Sequence, residues 1–220
     1  MGRLAGMSTS WQQEQPDNAA EIARLKRGIV FRERLRDFEL DFHSTCELFS
    51  PRRVDDGSRL LVEHFDVESD DVTLDLGCGY GAIGLAVARQ TPRGRVHMVD
   101  RDYLAVELAR RNAEANGLGN CRVYLSNGFS EVPGDVRFDN VLSNLPAKVG
   151  REMLSILLHD ARARLVPGGR LGVVTIAGLR QWVKRNFKEA FGNYKKLKEG
   201  KGYVAAVACK SASDASTATD

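Results

Sequence analysis

The stretch VTLDLGCGYGAIGLAVAR, Val72–Arg89, decides the fold. An apolar run ends at Asp75, four glycines follow at 77, 79, 81 and 84, and an Ala-rich pattern then continues at helical spacing. This order describes a buried strand, a tight turn and the start of a helix. Glycine lets the backbone bend sharply and lets a ligand approach the main chain, while the helix start offers unpaired N–H groups. A nucleotide-like cofactor suits such a turn.

Gly79-Tyr80-Gly81-Ala82-Ile83-Gly84 is a literal GxGxxG, which by itself allows a dinucleotide. Asp75 argues against one. A carboxylate at the strand end repels a pyrophosphate but favours a cation, such as a sulfonium bearing an α-amino group. S-adenosylmethionine therefore leads, and NAD stays as the alternative. The run DLGCGYG also resembles the first motif of the class I S-adenosylmethionine-dependent methyltransferases.

A second apolar strand, Val96–Val99, ends at Asp100, 21 residues beyond Gly79. A carboxylate there can accept hydrogen bonds from both ribose hydroxyls. A third strand, Cys121–Leu125, leads into Ser126-Asn127-Gly128-Phe129. In related enzymes this loop receives the adenine, commonly through Asp where this chain has Asn127, whose amide oxygen can still accept. Read simply as an Asn-Gly turn, it needs no ligand. The expected cofactor shell is Asp75, Gly77, Cys78, Gly79, Tyr80, Asp100, Arg101, Asn127, Gly128, Phe129 and Asn144.

Around this core the chain alternates strands and helices. Phe138–Asn144 is a fourth strand, a helix follows over about 148–165, Pro167-Gly168-Gly169 turns, and strands at 171–176 and 203–209 flank a helix carrying Trp182 and Phe187. The expected fold is α/β, a doubly wound, Rossmann-like, mostly parallel sheet of seven strands. Before it, Ile29 and Phe31, then Phe38, Leu40 and Phe42, alternate with polar residues, predicting a small β extension. The expected divisions are a tail and short helix at 1–27, the β extension at 28–54, the main domain at 55–210 and a disordered tail at 211–220.

At 220 residues and 43% hydrophobic, the chain can bury one sizeable core. No apolar run approaches the roughly 18 residues that span a membrane. The start, MGRLAGMSTS, lacks the apolar centre of a secretory signal, and Cys46, Cys78, Cys121 and Cys209 are scattered without ligand spacing. These features imply reduced thiols, no metal and a cytoplasmic protein.

The segment FHSTCELFSPRRVDDGSRLL, residues 42–61, resembles the methyltransferase-small family, whose members run through FxTxSGVFS and VDxG[ST] before the cofactor strand. Phe42, Phe49, Ser50, Val54, Asp55, Gly57 and Ser58 match, while Glu47 replaces the usual Gly. The resemblance covers about Gly28 to Lys210 and implies that Phe49 and Asp55 lie at the substrate mouth. On the residues alone, Phe49 reads as core and Asp55 as a helix cap.

Ser143-Asn144-Leu145-Pro146-Ala147 resembles the NPP[FYI] motif of methyltransferases that modify exocyclic amino groups of nucleobases. An aryl amine is a poor nucleophile because its lone pair is delocalised into the ring. Hydrogen bonds from its N–H groups to the Asn144 oxygen and the Leu145 carbonyl would aim the lone pair at the methyl group, with Pro146 fixing the backbone. Leu145 replaces the first Pro. Ala147 replaces the aromatic that stacks on the base, which leaves Phe49 or Tyr80 for that task.

The resemblance implies the 2-amino group of guanine in ribosomal RNA as target. Charge is uneven: residues 24–36 and 178–210 are basic, and residues 55–79 are acidic. Arg32, Arg34, Lys195, Lys196 and Lys198 are therefore candidate RNA contacts, with ordinary solvated faces as the alternative. A methyltransferase for a small molecule or protein, a binding module without catalysis, and an NAD-dependent oxidoreductase are the competing functions; oligomeric state is not read from the sequence.

Overall fold

Alternating apolar residues build the first element. In the computed structural model, which describes residues 28–146 and 150–213, β1 (Ile29–Leu35) and β2 (Phe38–Ser44) form an antiparallel hairpin. Leu35, Leu40 and Phe42 are fully buried beneath it. At the turn, Arg36 has a left-handed φ of 51° and donates to the Val62 and Phe65 carbonyls at 2.7 and 2.8 Å. Those carbonyls belong to the end of α1 (Asp56–His64), where helical partners run out, so Arg36 closes the helix.

The main body follows as β3 (Val72–Leu76), α2 (Ala82–Gln90), β4 (Arg95–Asp100), α3 (Tyr103–Ala115), β5 (Cys121–Leu125), β6 (Phe138–Asn144), α4 (Arg151–Arg164), β7 (Leu165–Ile176), α5 (Arg180–Phe191), β8 (Lys195–Gly200) and β9 (Tyr203–Cys209). The strands lie in the order β5-β4-β3-β6-β7-β9-β8. The first five are parallel, and β9 is antiparallel to both neighbours. This is the Rossmann-like sheet with a small β extension that the alternation of elements implies.

Both faces are covered, which explains the nearly continuous apolar runs of β3, β4 and β6. One core joins the hairpin, α1, α2 and α3 through Leu61, Leu85, Val87, Met98 and Ala109. The other joins α4 and α5 through Leu154, Leu158, Trp182 and Phe187.

The hairpin docks through two amides. Asn112 on α3 and Asn116 just past its end, one turn apart, accept from the His43 and Asp41 N–H groups at 2.6 and 3.0 Å and donate to the carbonyls of the same residues. They give β2 the hydrogen bonds that a third strand would supply. Asn112 also donates to the Tyr80 carbonyl at 2.9 Å, tying the hairpin to the glycine turn.

Two boundaries differ from expectation. Strand β7 begins at Leu165 and runs through Pro167-Gly168-Gly169, its register against β6 shifting between Phe138 and Asn140. The irregularity lets the ladder resume beyond the proline. Strand β8, KKLKEG, lacks strand-like composition because it is the sheet edge, where lysines discourage pairing with another chain. The expected helix before Gly28, Ala147, and residues 214–220 lie outside the described residues.

Candidate active site

Parallel strands put the motifs at one height. Met98, Asp75 and Leu142 form one rung across β4, β3 and β6; two residues on, Asp100, Gly77 and Asn144 stand at the carboxyl edge. The chain winds outward from β3 to β5 and then crosses back to β6, so the crevice between β3 and β6 is the switch point where open α/β sheets hold ligands. Asn127 follows the end of β5, where the Ser126 N–H donates to the Asp100 carbonyl at 2.8 Å.

The glycine turn is shaped by backbone need. Gly77, Gly79 and Gly81 have φ of 74°, 56° and 94°, a region that side chains rarely adopt. A Cβ on Gly77 or Gly79 would meet nothing within 4 Å, so the surface in front of the turn is open to a ligand. Gly84 answers a different need: a Cβ there would lie 2.4 Å from Met98 Sδ and 3.0 Å from Asp75 Oδ2.

Asp75 is 1% exposed and accepts the Gly84 N–H at 2.8 Å through Oδ2, while Oδ1 is buried without a partner. Burial pushes its carboxyl up to about 7, aided by the nearby Asp100 charge and opposed by the Gly84 hydrogen bond. A buried acceptor held beside an open glycine turn fits a cationic ligand. Asp100 accepts the Gly79 and Asp102 N–H groups at 2.9 and 3.0 Å, one on each oxygen. Each oxygen keeps lone-pair capacity for a hydroxyl. These residues fit S-adenosylmethionine, with a cation toward Asp75 and a ribose toward Asp100.

The flanking residues are placed by packing as much as by the turn. Tyr80 is buried, its ring set edge-on against Phe31 and Phe42, and its hydroxyl donates to the Ser50 and Arg53 carbonyls at 3.3 and 3.1 Å. Its side chain anchors the 50–53 loop and is unavailable to stack on a base; only its backbone faces the turn. Phe129 is likewise buried in the core beneath α4. The Cys78 thiol is buried and pushed well above its usual range by desolvation, which disfavours the thiolate. Arg101 and Asn127 are exposed, and Asn127, Phe129 and Ser130 border a groove closed by Asp160, Ala163 and Arg164. A second groove, lined by Arg93, Arg95, His97 and Arg137, lies at the opposite edge and contains none of the motif residues.

Asn144 donates from Nδ2 to both Asp55 oxygens at 3.2 Å and to Ser58 Oγ at 3.0 Å. Asp55 is buried, 7% exposed. It also caps α1, accepting from the Gly57 and Ser58 N–H groups at 2.9 and 3.2 Å. The helix-cap reading of Asp55 therefore holds, and the same carboxylate also faces the Asn144 amide. Leu145 donates its N–H to the Val174 carbonyl at 2.9 Å and buries its side chain. Pro cannot make that bond, so Leu145 replaces proline's stiffness with one more rung of the sheet.

Phe49 is 69% exposed on the loop that Tyr80 anchors and that ends at Asp55. The basic candidates are dispersed. Arg32 is paired with Asp41 and Glu39, and Arg34 with Asp37. Lys196 is paired with Glu199. Lys198 lies on the rung Ala205–Val174–Asn144, three strand spacings from Asn144, or roughly 14 Å. Lys195 sits lower on the same edge. Ser58 matches the family pattern without a stated role, and Asn112 and Asn116 carry no motif, though two Asn one turn apart beside Ala109 and Ala113 signal a buried polar contact.

Residues 39–206 match the family described as Methyltransferase small domain. The chain is 36% identical over 169 residues to the uncharacterized protein YbxB of Bacillus subtilis, a match covering 76% of this chain and 81% of that protein. It is 34% identical over 158 residues to Ribosomal RNA large subunit methyltransferase G of Erwinia tasmaniensis, covering 69% of this chain and 41% of that one. Among solved structures, the T. thermophilus 16S rRNA N2 G1207 methyltransferase (RsmC), in complex with AdoMet and guanosine, superposes with a TM-score of 0.76 at 30% identity. That match covers 83% of this chain and 50% of the other, so the chain spans half or less of these ribosomal RNA methyltransferases.

Proposed function

Because the chain belongs to the methyltransferase small domain family and is an S-adenosylmethionine-dependent methyltransferase, we propose that it methylates an exocyclic nucleobase amine in RNA, most specifically the 2-amino group of guanine in ribosomal RNA. The observation that carries this reading is Asn144, held at the switch point with its NH2 end spent on Asp55 and Ser58 and its oxygen left to accept. Relatives named as ribosomal RNA methyltransferases, one of them solved with guanosine, support the choice of substrate.

The bound cofactor supplies an electrophilic methyl group on a sulfonium. This chain supplies position and charge. Asp75, desolvated beside the glycine turn, favours the cation, and Asp100 accepts from the ribose. Asn144 Oδ1 and the Leu145 carbonyl accept the two amine N–H groups and draw the nitrogen toward a tetrahedral form. Once alkylated, the nitrogen is a strong acid and gives its extra proton to water, so no titrating base is needed. Phe49, exposed beside the mouth, takes the stacking role that neither Ala147 nor buried Tyr80 can fill, a contact worth roughly 1–3 kcal/mol.

The test is transfer of labelled methyl groups by the purified protein into fractions from cells lacking its gene. Label in RNA supports the proposal. Label only in protein or small molecules gives the site a different substrate, and no label anywhere makes the chain a binding module.

A further inference from the structure

Both oxygens of a carboxylate accept hydrogen bonds and neither donates, whereas the two ends of an amide side chain differ. The two Asp55 oxygens lie at 3.2 Å from Asn144 Nδ2, and Ser58 Oγ lies at 3.0 Å from the same nitrogen. The amide must therefore turn its NH2 end inward, toward α1, and its oxygen away. Asp55 itself has little freedom. Its Oδ1 holds the Gly57 and Ser58 N–H groups, and the Tyr203 ring comes so close that a Cβ on Gly57 would lie 2.7 Å from it. Lys201 and Asp56, paired at 2.8 Å, fasten the start of α1 to the β8–β9 turn.

We propose that Asp55 is a positioning residue, whose carboxylate sets which end of the Asn144 amide faces the reacting amine. The inference rests on the exocyclic-amine reading above. With the amide reversed, an NH2 group would meet the substrate NH2 group, donor against donor, and the nitrogen lone pair would not be drawn toward the methyl group. Ser58 contributes a hydroxyl that can accept or donate, so the choice of orientation belongs to Asp55.

Asp55→Asn separates this role from the helix cap, because Asn caps a helix about as well as Asp. The new amide can donate to Asn144 Oδ1 and so stabilise the reversed orientation. We expect kcat for RNA methylation to fall at least tenfold, with KM for RNA, cofactor affinity and Tm nearly unchanged. Asn144→Asp sets two carboxylates against each other and should also lower kcat. The double variant D55N/N144D restores a donor–acceptor pair with reversed polarity and leaves one oxygen of the carboxylate at position 144 for the amine, so its kcat should exceed that of N144D at least tenfold. A D55N enzyme with unchanged kcat, or a double variant no better than N144D, would overturn the proposal.

A substrate-free measurement keeps this separate from the choice of substrate. In side-chain amide NMR of the wild-type protein, the Asn144 NH2 protons should exchange slowly, and D55N should remove that protection. If the wild type methylates no RNA, the functional reading falls and the NMR result alone decides the positioning role: protection lost in D55N supports it, and free exchange in the wild type overturns it.

Discussion

The two sides of the crevice are built by different means. On the cofactor side, Asp75, Gly77, Gly79 and Gly84 are neighbours in sequence, and their geometry follows from backbone conformations that only glycine adopts freely and from one hydrogen bond across nine residues. On the substrate side, Asn144 is oriented by Asp55 and Ser58, 89 and 86 residues away, through side-chain contacts made only when α1 docks against the sheet. A local motif tolerates little change of residue type, whereas a motif held from elsewhere can lose its usual neighbours. Leu145 and Ala147 can therefore depart from the family pattern while Asn144 keeps its bonds.

The largest effect is expected from Asn144→Ala. Removing one acceptor that works in the transition state should lower kcat by about 10²–10³, while S-adenosylmethionine still binds in calorimetry with nearly unchanged affinity. If cofactor binding collapses with activity, the two sides are not separate.

Next in size is the pH response of the cofactor side. Desolvation raises the Asp75 carboxyl to about 7 in the unliganded protein, against 3.8 when exposed. Because the folded value lies above the unfolded one, this group's contribution to stability is full below about pH 4 and is lost as pH rises through 7. Cofactor affinity should run the other way, since a cation favours the carboxylate, weakening by up to about tenfold per unit below pH 7 and levelling above it. Asp75→Asn should flatten both profiles. A wild-type affinity constant from pH 5.5 to 8 would show that Asp75 does not titrate against the ligand.

Gly84→Ala should cost about 1–3 kcal/mol in urea unfolding, because the added methyl overlaps Met98 and crowds Asp75 in a packed core. Neutral behaviour would mean that α2 can shift without loss.

The smallest effect belongs to the edge strand. Neutralising Lys195, Lys196 and Lys198 together should weaken RNA binding modestly and lower its salt dependence by fewer than three released counterions, since Lys196 is already paired with Glu199. Unchanged RNA binding at every salt concentration would leave β8 with only its edge-protecting role.

Legibility in the sequence follows the same division. Strand alternation and the glycine turn are local patterns and stand as expected. Tyr80 reads as a cofactor contact or as a surface turn aromatic, and neither reading places its ring in the core, because a turn residue's direction depends on what arrives above it; here the hairpin does, and the ring faces Phe31 and Phe42. The basic segments leave their two readings open for a related reason. Composition shows charge but not its partner, and Arg32, Arg34 and Arg36 turn out to serve the hairpin and α1. Asp55 is legible as a cap, but its partner Asn144 is not, because nothing local links positions 55 and 144.

The central claim, methyl transfer to a base amine aimed by Asn144, is tested most directly by identifying the product nucleoside. Ribosomal RNA from cells lacking the gene, incubated with the purified protein and S-adenosylmethionine, is digested to nucleosides and analysed by mass spectrometry against standards methylated at each base position. The expected product is N2-methylguanosine, formed by the wild type and absent with Asn144→Ala. A product methylated on a ring carbon or a ribose oxygen, or equal yield from the Asn144→Ala protein, would contradict it.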